Sequence, residues 1–163
     1  MEKTALLPVF DVEHNLPPLE GVPLFDFDHN NNTVTVVKSE IPLKYANFKG
    51  RGDAAFWATS QNQILGYFIG NLGLDENQYL VFDSDQAQSM NRVPHYLGTD
   101  YKDRYPNIVG KMCAEIVDRG VVSKWRSSPY MSALGRKMYD KLKGDPRLAV
   151  ELVNQRYEVT KKR

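Results

Sequence analysis

The sequence predicts an α/β protein of the α+β kind, in which a mixed, mostly antiparallel sheet has helices packed on its faces. The first observation is a helix, a short apolar strand and a second helix that follow one another between Pro106 and Asp145. The second is a series of β-branched and aromatic segments between residues 33 and 83, separated by turn residues. The third is the length of 163 residues, which suits one domain with its own core.

The N-terminal residues 1–32 predict an extended, proline-rich arm, and residues 33–163 predict a single domain. Four prolines lie in the arm, and its apolar residues follow neither the strand nor the helix period. Apolar pairs such as Leu6-Leu7 and Leu24-Phe25 indicate that the arm packs against something, because a free tail is normally more polar. We expect it to contact its own domain, to mediate self-association or to bind a protein partner.

Five β-rich segments precede the first helix. The polar loop at 60–63 joins the second and third segments in the manner of a hairpin. The last segment contains Pro94, which confines it to a sheet edge or an irregularity. The predicted strands are 33–41, 54–59, 64–70, 79–83 and 92–97.

The first helix is predicted from apolar residues that recur at helical spacing between Ile108 and Val117. Pro106 suits its first turn and Gly120 ends it. A strand at Val121–Ser123 follows, and residues 148–153 and 157–160 predict the final pair of strands.

The second helix is predicted to begin at Ser128 as N-cap, with Pro129 at the first helical position. Gly144 closes it. Its apolar face is expected to consist of Tyr130, Leu134, Met138 and Leu142.

The charge balance excludes a whole-surface attraction to nucleic acid or membrane, because 21 basic and 20 acidic side chains leave a net charge of +1. The basic residues between Lys111 and Arg147 keep nucleic acid open as a weaker alternative to a solvated helix face. No apolar run reaches membrane-spanning length, so we expect a cytoplasmic protein. The lone Cys113 lies on the apolar face of the first helix and predicts a small buried hydrophobic residue.

The histidines give no metal signal. His14, His29 and His95 lie near aspartates, but no pair has the helical or hairpin spacing that metal sites use. Solvated or hydrogen-bonded side chains are the better interpretation, and no metal ligand is assigned.

The order of elements, an antiparallel meander followed by helix, strand, helix and a last hairpin, resembles the GNAT acyltransferase fold. That family binds acyl-coenzyme A in a splay beside its fourth strand. Its next helix begins with a loop of the form Gln/Arg-x-x-Gly-x-Gly/Ala, whose backbone amides hold the pyrophosphate. The matching segment here is Arg104–Lys111, where Asn107 and Val109 replace the glycine and the small residue. The resemblance implies that acetyl-CoA is bound by Val93, Tyr96, Leu97, Arg104, Asn107, Ile108, Gly110, Lys111 and Ser132.

The second helix carries a further match. Many family members have Asn-x-x-Ala-x-x-x-Tyr-x-Lys-x-Gly there, and this chain has Ser132-x-x-Gly135-x-x-x-Tyr139-x-Lys141. The family tyrosine is placed to act as general acid for the departing thiolate, and a phenol with a pKa of about 10 is protonated at neutral pH. The resemblance implies that Tyr139 is catalytic. A half-buried core tyrosine with its hydroxyl at the rim is the structural alternative.

The sequence is therefore compatible with two functions. The first is a GNAT-like N-acyltransferase that uses an acyl-CoA donor, which the match around Tyr139 favours. The second is a catalytically inactive structural or interaction protein that keeps the fold without the cofactor, which the glycine-poor loop favours. Small GNAT-like domains with altered cofactor loops are familiar from phage genomes, so the resemblance also implies a phage-encoded, virion-associated and oligomeric protein of the host cytoplasm or virion.

Overall fold

The computed structural model describes residues 5–7, 19–40, 53–60, 63–89 and 106–163. These residues form nine strands of one sheet and two helices, which is an α+β fold with a mostly antiparallel sheet. The strands are β1 Ala5–Leu7, β2 Leu19–His29, β3 Asn32–Glu40, β4 Ala54–Ser60, β5 Gln63–Leu74, β6 Leu80–Ser89, β7 Lys124–Arg126, β8 Leu148–Val153 and β9 Arg156–Lys161. The helices are α1 Ile108–Asp118 and α2 Ala133–Leu142.

The first six strands form an antiparallel meander in chain order. Helix α1 then leads to β7, which pairs with β6 in parallel. Helix α2 leads to the β8–β9 hairpin, whose second strand pairs with β7, so the order at that end of the sheet is β6-β7-β9-β8. The parallel pair thus has an antiparallel neighbour on either side.

Both helices pack on the same face of the sheet, around Trp125 of β7. The Trp125 ring is fully buried and lies 4.6 to 5.9 Å, centroid to centroid, from Phe56, Phe68 and Phe82. Helix α1 adds a buried stripe to this core, and α2 adds Met138, Tyr139 and Leu142. The stripe consists of Ile108, Met112, Cys113, Ile116 and Val117, so Cys113 is buried as predicted.

Most strands predicted between residues 33 and 160 are confirmed, with bounds shifted by a few residues. The strand predicted at Val121–Ser123 is wrong, because β7 is Lys124–Arg126. The Val121 amide instead donates to the Ile116 carbonyl (3.1 Å) and closes the end of α1. The strand predicted at 92–97 lies outside the described residues.

The proline-rich arm contains a regular strand, contrary to the irregular pattern read from its apolar residues. Strand β2 pairs with β3 along its length, and Phe27 lies in the core of the domain. Pro23 is tolerated because the register shifts between Pro23 and Phe25, and a bulge releases the ladder hydrogen bond that a proline cannot make.

Helix α2 begins four residues later than predicted. Ser132 is the N-cap and accepts a hydrogen bond from the Gly135 amide at 3.2 Å. Ser128 instead accepts from the Tyr130 amide in a local turn (3.1 Å). Tyr130 and Leu134 are therefore exposed, whereas Met138 and Leu142 of the predicted face are buried.

In the described part of the chain, neither α1 nor α2 is long and apolar enough to cross a membrane.

Replacing Gly70 with alanine is expected to lower the free energy of unfolding by about 1–3 kcal/mol. The new Cβ would overlap the Asp83 backbone carbonyl and lie 2.9 Å from the Phe82 ring, at a bulge where β5 and β6 approach closely. Gly73→Ala in the same strand is the matched control, since nothing lies within 4 Å of a Cβ there. Urea denaturation measures both variants, and equal stabilities would contradict the close strand approach.

Candidate functional site

Strands β6 and β7 pair over three residues and then part. Pairing in the described chain ends at Asp83 and Arg126, although β6 continues to Ser89. On the other side, β7 stays with β9, because the Ser127 amide still donates to the Tyr157 carbonyl at 2.9 Å. A bulge at Asp85, where the β5–β6 register shifts, bends β6 at the same level. A gap therefore opens in the sheet beyond Asp83, and we call it the β6–β7 gap.

Arg156 bridges this gap on the face away from the helices. Its Nε donates to the Ser127 carbonyl at 2.8 Å, on the β7 side, and its Nη2 donates to Asp83 Oδ1 at 3.1 Å, on the β6 side. Arg126 lies beside the same carboxylate, with Nη1 at 3.8 Å from Asp83 Oδ1. The guanidinium thus links the two strands where the ladder no longer does.

Tyr139 lies on the helix side of the gap. Its hydroxyl oxygen accepts a hydrogen bond from Trp125 Nε1 at 3.0 Å and also hydrogen-bonds with Ser84 of β6. Burial raises the pKa of Tyr139 well above its ordinary value, and nearby Cys113 raises it further, while the bonds to Trp125 and Ser84 oppose the shift. The phenol is therefore protonated at neutral pH and lies between the two parting strands.

The N-terminus of α1 lies at the start of a groove and has no side-chain cap. Asn107 is the N-cap residue, with φ 54° and ψ 39°, and its side chain makes no capping hydrogen bond. That backbone conformation favours glycine, and asparagine is among the few other residues that adopt it readily. The amides of the first turn have no intrahelical acceptor, and no acidic side chain lies in that turn.

The missing side chain of Gly110 makes room for the side chain of Asn107. A Cβ at Gly110 would lie 2.8 Å from Asn107 Oδ1, so the absence of a side chain lets the asparagine amide fold back over the helix. Pro106 precedes the N-cap and does not occupy the first helical turn as predicted, because the helix begins at Ile108.

The groove runs between α1 and the end of α2 and has a volume of about 620 Å³. One wall is the start of α1, with Asn107, Gly110 and Lys111, and the other is the last turn of α2 with the loop that follows it. The described residues that line it include three cations, Lys111, Lys141 and Arg147, and one carboxylate, Asp145, so they carry an excess of two positive charges. A groove of this size and charge suits a phosphorylated small molecule.

His29, at the end of β2, also lines the groove and supports the start of α1. Its Nε2 lies 2.7 Å from the Pro106 carbonyl oxygen, so the ring N–H donates to the peptide that precedes the N-cap. Burial lowers the pKa of His29, the Pro106 carbonyl raises it, and the charge of Lys111 lowers it again. The lowered pKa keeps the ring neutral at neutral pH. The prediction of a hydrogen-bonded histidine agrees with this geometry.

The structure brings together part of the predicted site. The groove includes Asn107, Gly110 and Lys111, and the Ile108 amide lies in the same helical turn while its side chain is buried in the core. Ser132 lies at the opposite end of α2, about 15 Å away at 1.5 Å per helical residue, and is not brought to the groove. Four predicted cofactor residues lie outside the described part of the chain: Val93, Tyr96, Leu97 and Arg104.

Several site residues could not be predicted from the sequence, because their partners are distant in the chain. Arg156 and Asp83 are 73 residues apart, and His29 and Pro106 are 77 apart. No spacing rule connects such pairs. Trp125 had a usable signal, since a tryptophan in a short buried strand needs an acceptor for its N–H. Among the described residues, no three His, Cys, Asp or Glu side chains group closely enough to hold a metal ion.

We found no protein-family model that matches the chain and no curated protein of significantly similar sequence.

His29→Gln is expected to reduce the dependence of stability on pH. Because the folded-state pKa of His29 lies below its ordinary value of 6.5, the unfolded chain binds the proton more readily. Stability is therefore lost as the pH falls through 6.5 and towards the folded-state pKa. Glutamine keeps an N–H donor but does not titrate.

The measurement is urea denaturation of the wild type and His29→Gln at about pH 7.5 and about pH 5.5. The free energy of unfolding of the wild type should fall more on acidification than that of the variant. Parallel pH profiles would contradict a buried, neutral His29.

Proposed function

We propose that this chain is a GNAT-like N-acyltransferase that binds acyl-coenzyme A in the groove and directs the thioester into the β6–β7 gap. The observation that carries the proposal is the gap itself, because pairing between β6 and β7 ends at Asp83 and Arg126 while β6 continues. The N-terminus of α1 adds first-turn amides that its N-cap side chain does not cap. The resemblance noted in the sequence implies the same combination of a splay and an amide-rich loop.

The pairing of the strands supports this proposal. An antiparallel meander ends in β6, α1 crosses over to the parallel strand β7, and the last strand β9 returns beside β7. Beyond Asp83, no residue of β6 pairs with β7 in the described chain. An extended amide-containing ligand such as the pantetheine arm would pair with this part of β6 in place of β7, by the hydrogen bonds that otherwise join strands.

The conformation of Asn107 also supports it. The resemblance places Asn107 where the family has glycine, and the backbone there has the positive φ that glycine supplies. The replacement therefore keeps the turn. With Lys111 in the first turn of α1, the uncapped amides of that turn would form a site for the pyrophosphate.

Tyr139 is the residue we assign to the chemical step. The amine nitrogen of the acceptor would attack the thioester carbonyl, the carbon–sulfur bond would break, and the departing thiolate would take the phenol proton. The Tyr139 oxygen accepts from Trp125, so the hydroxyl keeps its own proton as a donor, and donation to the sulfur would take place beside its hydrogen bond with Ser84. The hydroxyl would then recover a proton from solvent or from the protonated amine product.

The burial of Tyr139 favours a second candidate, an inactive structural or interaction protein. Tyr139 is 3% exposed, and Arg156 spans the other side of the gap. In that case the gap is a sealed part of the core. The same chain would then act through its surface, by binding a protein partner or a second copy. The two candidates differ in whether the chain binds acyl-CoA.

Isothermal titration with acetyl-CoA separates the candidates. The acyltransferase proposal expects saturable binding at micromolar concentration, and Lys111→Gln is expected to weaken it about tenfold, because a charge-assisted contact to phosphate contributes about 1.5 kcal/mol. Lys137→Gln is the matched control, since Lys137 is exposed on α2 and does not line the groove. No binding at millimolar acetyl-CoA would overturn the proposal and leave the interaction protein.

A further inference from the structure

The groove has two lysines on opposite walls. Lys111 is in the first turn of α1 and Lys141 is in the last turn of α2, and both line the groove. No carboxylate of the described residues lies within ion-pair distance of either amine, although several such pairs surround the neighbouring cations.

The charge of the third cation of the groove, Arg147, is already compensated by neighbouring carboxylates. Arg147 donates to Glu115 and Asp145 and lies 3.4 Å from Asp118, so three carboxylates surround one guanidinium. Asp145, the one carboxylate among the described residues that line the groove, is held by the Arg147 backbone amide and guanidinium. The positive charge available to a ligand therefore belongs to Lys111 and Lys141.

The end of α2 presents Lys141 from a fixed backbone. Leu142 beside it is buried in the core, and the Lys143 and Gly144 amides donate to Asp140 and Lys141 carbonyls and close the helix. Gly144, which also lines the groove, places no side chain next to Lys141. Lys111 and Lys141 thus present two cations from separate helices, which suits a ligand with two anionic groups.

We propose that Lys141 forms a second anion subsite that binds a phosphomonoester, the 3′-phosphate of coenzyme A. This inference rests on the proposed function, in which Lys111 and the α1 amides take the pyrophosphate. A phosphomonoester carries about −1.5 to −2 charges at neutral pH and is the other anionic group of that cofactor. Lys141 thereby makes the groove selective for coenzyme A over its dephosphorylated form.

A purely structural role for Lys141 has a different signature. A lysine in the last turn stabilises a helix through the negative end of its dipole, and its loss would lower stability without changing the choice between two ligands. Selectivity between ligands is therefore the readout that separates the two roles.

The experiment is isothermal titration of the full chain with coenzyme A and with dephospho-coenzyme A. The wild type should bind coenzyme A about tenfold more tightly, as expected for one charge-assisted contact to phosphate. Lys141→Gln should lose that preference and keep its affinity for dephospho-coenzyme A, while Lys137→Gln, an exposed lysine of the same helix, should match the wild type.

Other outcomes would overturn the proposal. Equal wild-type affinity for the two compounds, or an equal loss of both in Lys141→Gln, would overturn the second subsite and leave the cofactor groove intact. Binding of neither compound by the wild type would overturn the proposed function and the subsite together.

Discussion

The hydrogen bond from Trp125 to Tyr139 is the interaction on which the rest of the structure depends. Trp125 is fully buried among three phenylalanines, so its N–H has no access to water and needs an acceptor inside the protein. The Tyr139 hydroxyl provides it at 3.0 Å and thereby fixes α2 over the parallel pair of strands. Loss of that acceptor would leave a buried donor unpaired, at a cost of about 1–3 kcal/mol. The same bond holds the phenol at the β6–β7 gap, so one contact serves both the core and the proposed chemistry.

The gap arises where β7 stops pairing with β6, and the groove arises where the two helices meet. Strand β7 pairs with β6 for three residues and then follows β9, and Arg156 joins the parting strands through Ser127 and Asp83. Helices α1 and α2 cover the same face and leave the groove between the start of one and the end of the other. Because Arg147 is surrounded by carboxylates, the charge that remains for a ligand is concentrated on lysines of the two walls.

Much of the fold was predictable, because β-branched runs and helical apolar spacing are local signals. The α1 stripe and the strands at 54–60 and 148–153 are examples. The site was less predictable, for two reasons. Its contacts join distant residues, such as His29 with Pro106, and no local pattern encodes them. The second reason is the conformation of Asn107. The sequence suggests that the glycine conformation is lost there, but the asparagine backbone keeps the positive φ that glycine would supply. Strand β2 was missed because Pro23 sits at a bulge, where the usual exclusion of proline is relaxed.

The most direct test is whether the thioester reaches Tyr139. Carbon-13 labelling of the tyrosine Cζ atoms, with the Tyr139 signal assigned from Tyr139→Phe, reports on that hydroxyl alone. If the thioester enters the β6–β7 gap, the Tyr139 resonance shifts as acetyl-CoA is added, while those of Tyr79, in the β5–β6 turn, and the exposed Tyr130 stay in place. An unmoved Tyr139 signal at saturating acetyl-CoA would contradict this role of the gap, because the cofactor would then bind without entering it.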